Sequence, residues 1–153
     1  MYKHLTVLIC LLMTFPANAT QVHKKELEEL VMESDVIVEV DIADVYGKDK
    51  FSAISRDPEM QTGPGLDNEI VLYVCSYELL LNVESVKVPK CFETAIWKKW
   101  HVSLGSFVDY QSQRVILLLK GEGLKRVHPG HFIWSLEDKS RIIELIKKRD
   151  TVK

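Results

Sequence analysis

The sequence predicts a mainly β fold of the α+β class, a small antiparallel barrel with a short helix before it and a second helix closing it. Three stretches carry that expectation. Glu69–Val88 (EIVLYVCSYELLLNVESVKV) has an unbroken apolar row at every second residue, Val71, Tyr73, Cys75, Tyr77, Leu79, Leu81 and Val83, which is the side-chain period of a strand. Arg114–Lys120 (RVILLLK) is apolar at every interior position, as in a strand covered on both faces. Residues 21–34 and 135–148 instead show apolar residues at three- and four-residue spacing among charges, the stripe of an amphipathic helix.

The Glu69–Val88 row is read as a buried face, with Ile70, Leu72 and Val74 apolar on the other side and Glu78, Asn82 and Glu84 polar beyond Ser76. At roughly 3.3 Å per residue the row spans about 40 Å, so a bend, bulge or division is expected near Ser76 to Asn82. A strand that curves in this way suits a small barrel.

In chain order, Leu27, Leu30 and Val31 share one face of the first helix, and Lys24 and Lys25 stand four residues before Glu28 and Glu29. Asp35–Val45 alternates Val36, Val38, Val40 and Ile42 with Ile37, Glu39, Asp41 and Ala43, a half-buried strand. Residues 46–68 have no sustained period and contain Gly47, Pro58, Gly63, Pro64 and Gly65, so an irregular loop is expected, either functional or disordered at this length. Pro89 stops the long strand. Phe92–Val102 fits a helical stripe (Phe92, Ile96, Trp100) and an alternating strand (Phe92, Thr94, Ile96, Trp100, Val102); the strand is the preferred reading. Residues 103–112 form a loop around Gly105, and His131–Trp134 is a short strand after the Pro129-Gly130 turn. Ser135 with Asp138 three residues on marks the start of the last helix. Ile142, Leu145 and Ile146 give its apolar face, and Lys147, Lys148 and Arg149 place cations in its last turn.

The first nineteen residues read as a signal peptide, with Lys3, the apolar run Leu5–Phe15 and the small-residue site Ala17-Asn18-Ala19. Thr20 is then the first mature residue, and residues 20–153 are expected to be one globular domain in the periplasm or the medium. No apolar run reaches the roughly 20 residues of a membrane span. Cys10 follows Val7, Leu8 and Ile9, where a lipidation site needs small residues, so no lipid anchor is expected. Of 20 basic and 22 acidic residues only Lys3 lies in the signal. The remaining slight acidity argues against nucleic-acid or anionic-membrane binding.

Cys75 and Cys91 are the cysteines left after cleavage. In an oxidising compartment such a pair forms a disulfide; the alternative is two buried free thiols. His128-Pro129-Gly130-His131 sets two imidazoles three residues apart, and with Glu122 they can hold a metal ion, against the plainer reading of a solvated turn. Trp97, Lys98, Lys99, Trp100 and His101 cluster aromatic and basic groups that can bind an acidic partner or stack on a sugar; the alternative puts one tryptophan in the core and the lysines in water. Glu39, Asp41 and Asp44 alternate on an exposed strand face, where solvated charge is the ordinary explanation and acid/base chemistry the sharper one. The chain has no GxSxG, no reactive-cysteine context and no glycine-rich phosphate loop, so no catalytic residue and no cofactor is assigned.

The order of short helix, SDVIVEVDIADV, loop, long strand, RVILLLK and closing helix resembles small exported bacterial domains with an OB-like barrel, similar in outline to the inhibitory domain of tissue inhibitors of metalloproteinases. The resemblance implies an OB-like fold over most of Asp35–Lys148. Those inhibitors chelate zinc through an N-terminal cysteine, which has no counterpart at Thr20, and their multiple-disulfide framework is also missing. The expectation is therefore an exported, non-enzymatic binding protein, an inhibitor or immunity-type protein that blocks a partner protein through residues 46–68 and Trp97–His101. Its rivals are a hydrolytic or metal-dependent enzyme using His101, His128 or His131, and a structural envelope component. A monomer or small homo-oligomer is expected.

Overall fold

The computed structural model describes residues 23–83, 85–96 and 101–151. The expected signal peptide, residues 1–19, and Trp97, Lys98, Lys99 and Trp100 lie outside them. Among the described residues the fold is a mainly antiparallel sheet with a C-terminal helix. Helix α1 is Leu27–Glu33, strand β1 Val36–Lys48, β2 Ile54–Ser55, β3 Gln61–Thr62, β4 Glu69–Asn82, β5 Cys91–Ala95 and β6 Val102–Ser103. Then follow the one-turn helix α2 Gly105–Val108, β7 Arg114–Lys120, β8 Lys125–Arg126, β9 Ile133–Trp134, a 3-10 turn over Leu136–Asp138 and helix α3 Lys139–Thr151.

The main sheet runs β5-β4-β1-β7-β8, with β2 added to β1 and β9 to β7. The expected barrel is not formed. β5 and β8 are the two ends of that path and do not pair, because five residues of β5 and two of β8 offer too little ladder to close the sheet. The Phe92–Val102 stretch does begin as a strand, in β5. Residues 103–112 are not all loop, since α2 turns within them. Residues 46–68 are irregular for the most part, as expected, although β1 runs on through Lys48 and the two-residue strands β2 and β3 interrupt the loop.

Alternation along β1 sends Val36, Val38, Val40 and Ile42 into one core with Ile70, Leu72, Val74, Val115, Leu117 and Leu119. Ile37, Ile116, Leu118 and Leu81 enter a second core on the opposite face, under Leu27, Leu30 and Val31 of α1 and Ile142, Leu145 and Ile146 of α3. A lone helix of this length is marginal in water. Burial of those three α3 side chains, worth roughly 1.5–3 kcal/mol each, is what holds it. Ser135 caps the preceding turn, its Oγ accepting from the Glu137 N–H at 3.0 Å, in place of the expected box with Asp138.

The expected burial of the odd-numbered row from Val71 to Val83 holds at Val71 and Leu81 and is overturned at Tyr73, Tyr77 and Leu79. Ile70, Leu72 and Val74 enter the first core, whereas Tyr73, Tyr77 and Leu79 are 38%, 60% and 49% exposed. The bend anticipated between Ser76 and Asn82 is present and resets the pattern beyond Ser76; Tyr73, which precedes it, is exposed because the helices cover only the Ile37 and Leu81 end of its face. Val40 pairs with Ser76 and Glu39 with Glu78, passing over Tyr77; Val38 pairs with Leu79 and Ile37 with Leu81, passing over Leu80. Each extra residue reverses which parity faces inward.

Candidate functional site: the open half of the sheet

The two helices cover one end of the second sheet face and leave the other end open. Along β1 that face reads Ile37 under the helices, then Glu39, buried at their border, then Asp41, Asp44, Tyr46 and Lys48. Directly opposite residues extend it sideways. Cys91, Cys75, Asp41 and Arg114 form one row across four strands, and Glu93, Tyr73 and Asp44 form the next.

Each carboxylate on this face meets a cation. Arg114 grips Asp41 with both arms, Nε to Oδ1 at 2.7 Å and Nη2 to Oδ2 at 3.1 Å, while its Cζ lies 3.5 Å from the centroid of the Tyr77 ring. Arg56, brought over by β2, makes a second two-armed pair with Asp44 at 2.8 and 2.7 Å. Glu39 and Glu78 stand directly opposite one another, an unfavourable like-charge pair. Lys139, at the start of α3, donates to both at 2.6 Å. Glu93 accepts from the Tyr46 hydroxyl and from Lys48, each at 2.5 Å.

These bonds set the titration of the face. Arg114 holds the Asp41 carboxyl below its ordinary 3.8, and Arg56 does the same for Asp44. Lys48 and Tyr46 depress Glu93 below 4.5. Burial, then the Glu93 carboxylate, pushes the Tyr46 hydroxyl far up. The two carboxylates at Lys139 raise its ammonium above 10.5. A general acid must keep its proton near working pH, so Asp41, Asp44 and Glu93 have the wrong environment for that role. Folded-state values below unfolded ones mean that these carboxylates stabilise the fold above about pH 4–4.5 and lose that contribution as pH falls through the lowered values. Thermal melting is therefore expected to drop steeply below that pH. An Asp41→Asn/Asp44→Asn/Glu93→Gln variant should melt lower at pH 7 and show a visibly flatter acid decline.

The hairpin joining β1 to β2 projects beside this face. Asp49 Oδ1 accepts from the backbone N–H of Phe51 at 2.8 Å and of Ala53 at 2.9 Å, a turn built by one short carboxylate. At its tip Phe51 is 79% exposed and Ile54 62%. The following segment is seated under β1 because Gly47 leaves a notch: a Cβ there would fall 2.0 Å from Met60 Sδ. Residues 46–68 contribute β3 to a small second sheet with β6, in which Gln61 pairs with Ser103 and Thr62 with Val102, just after His101 in the chain. His101 is exposed, and its ring lies against Gly63.

Cys75 and Cys91 form the expected disulfide, with Cα atoms 4.0 Å apart. The bridge lies within the open face, as both are half-buried. His128 is buried, not solvated. Its Nδ1 accepts from the Gly130 N–H at 3.2 Å and its Nε2 faces the His23 carbonyl at 3.0 Å, which fixes the proton on Nε2 and leaves neither nitrogen for a metal. His131 stacks on it, ring centroids 5.4 Å apart. Among the described residues no three His, Cys, Asp or Glu side chains gather as a metal set, and no helix is long and apolar enough to cross a membrane.

Comparison with known proteins adds no family: no protein-family model matches the chain, and no curated protein matches it.

Proposed function

We propose that this is an exported, non-enzymatic binding protein of the inhibitor or immunity type, which blocks a partner protein in the cell envelope after signal-peptide removal near Ala19. The single observation that carries the reading is Phe51, a large apolar side chain standing in water at the tip of a hairpin whose turn is fixed by Asp49. Beside it lies a surface of tyrosine and paired arginine, the residue types enriched where proteins bind one another. Because that surface is already cross-linked by ion pairs, docking orders few side chains and loses little entropy. The Cys75–Cys91 disulfide accords with an oxidising compartment.

The test is recovery of a partner from cell-envelope and secreted fractions with the tagged mature protein, followed by affinity measurement. Phe51→Ala is expected to weaken the recovered complex by about 2 kcal/mol, roughly 30-fold. Tyr77→Ala should do less, since Arg114 remains pinned by Asp41. No recovered partner, or a complex indifferent to Phe51, removes the reading.

A further inference from the structure

We propose that the cavity at the seam between β5 and β8 binds a small, uncharged and mainly apolar molecule that carries a hydrogen-bond acceptor. The two strands do not form a ladder there, and the seam gives onto the first core. Along β5, Phe92 and Ile96 enter that core, and Thr94 between them is buried opposite Leu72. From the other side Leu124 enters the same core. It does so from the turn before β8 with φ at +46°, a conformation that bulky residues rarely take and one that clusters at functional sites such as ligand clamps. Its N–H donates to Gly121 O at 3.0 Å, which fixes the turn. Thr94, Ile96 and Leu124 thus wall a cavity of about 630 Å³. Close-packed interiors leave few voids larger than a water molecule, whereas ligand sites run to roughly 300–1,000 Å³ and favour the mouths of β-barrels among other places.

The charges around the cavity select what it takes. Arg126, opposite Leu119 and so directed to the inner face, is half-buried and bridges the seam by donating to Ala95 O. Burial disfavours its charge, and Glu69, which lines the same cavity, offsets this. Glu93, the second acid there, is held by Lys48 and Tyr46, and Lys125 is exposed to water. The acids and cations of the cavity therefore serve one another. A charged ligand would leave water with no counter-charge waiting for it, which is costly in a half-buried site. A neutral oxygen meets no such penalty. A guanidinium has more N–H donors than Ala95 O and one carboxylate can take, so an acceptor on the ligand can face Arg126 while its apolar body lies against Ile96 and Leu124.

The probes are three molecules of one shape and different charge, 1-naphthol, 1-naphthoate and 1-naphthylmethylammonium, each titrated into the mature protein at pH 7 up to millimolar concentration. Naphthol is expected to move the amide resonances of Thr94, Ile96, Leu124 and Arg126 and to bind about tenfold more tightly than either charged probe. Glu69→Gln removes the acid that offsets Arg126, so in that variant naphthoate should match or pass naphthol, while the ammonium probe stays weakest. No shift at these four amides with millimolar naphthol, shifts centred elsewhere, a charged probe preferred by the parent protein, or a naphthol preference that survives Glu69→Gln overturns the proposal. Partner capture through Phe51 is measured separately, so failure at the seam leaves that reading standing.

Discussion

Arg149→Met is expected to destabilise the protein by about 2–4 kcal/mol. The last carbonyls of any helix lack partners within it, and α1 ends in the interior, against α3, where water is not available to serve them. The Leu30 carbonyl already accepts the Ser34 backbone N–H at 3.1 Å, and side chains serve this end further. Ser34 Oγ donates to Leu30 O at 2.6 Å. Arg149, only 8% exposed, reaches from the last turn of α3 and donates through Nη1 to Val31 O at 2.9 Å and Ser34 O at 2.5 Å. Met fills similar volume and keeps the helix propensity of the site, so the loss isolates the unsatisfied carbonyls. Urea melts should show a lower midpoint at unchanged slope. Lys148→Met, one residue earlier on the exposed side, is the control and should stay within about 0.5 kcal/mol. An Arg149→Met protein as stable as its parent would show that these carbonyls find other donors.

Arg149 also illustrates which layer of this fold can be read from its residues. Its place in the last turn of a helix is visible in the spacing of Ile142, Leu145 and Ile146, and there the helix dipole is reason enough for a cation. Its actual partners lie more than a hundred positions away, and no local pattern reports them. The same division runs through the sheet. β1, β7 and α3 are legible because burial repeats along them at a constant period. β4 is legible as a strand but not in its orientation, since Tyr77 and Leu80 are extra residues whose effect exists only relative to Glu39 and Ile37 on the neighbouring strand. Tyrosine compounds the difficulty: its ring counts as apolar in a pattern, yet Tyr73 and Tyr77 spend it on an exposed, charged face. Of the candidate site, the alternating Glu39, Asp41 and Asp44 are visible in the sequence, and so is the disulfide pair. Arg56 and Arg114, which turn those acids into a cross-linked surface, are not. The one local signal for the hairpin is Asp49 before Lys50-Phe51-Ser52, a turn-forming acid ahead of a lone aromatic.

Removing the disulfide, as Cys75→Ala/Cys91→Ala, is expected to cost about 3 kcal/mol, the chain-entropy value for a closed loop of this length, and the bridge spans 16 positions. Where the loss is felt first follows from topology. β5 has a single neighbour, β4, and only five residues with which to hold it. The Ser76 N–H bond to Lys90 O places Cys75 and Cys91 at a directly opposed pair that exchanges no backbone hydrogen bonds, the closer of the two kinds of position in an antiparallel ladder. The sulfur link thus fastens β5 at the point where the ladder does not. Freed of it, β5 should open locally before the sheet melts, so amides at Phe92, Thr94 and Ile96, which bond to β4, should exchange faster than those of Val115–Leu119 on β7. Opening also withdraws Glu93 from Tyr46 and Lys48 and Ala95 from Arg126, so the open face and the seam would loosen together. Dithiothreitol added to the parent protein should reproduce the variant's behaviour and leave the variant itself unchanged. If β5 and β7 amides accelerate equally, the bridge acts on the fold as a whole, and β5 is not the separately tethered edge inferred from its pairing.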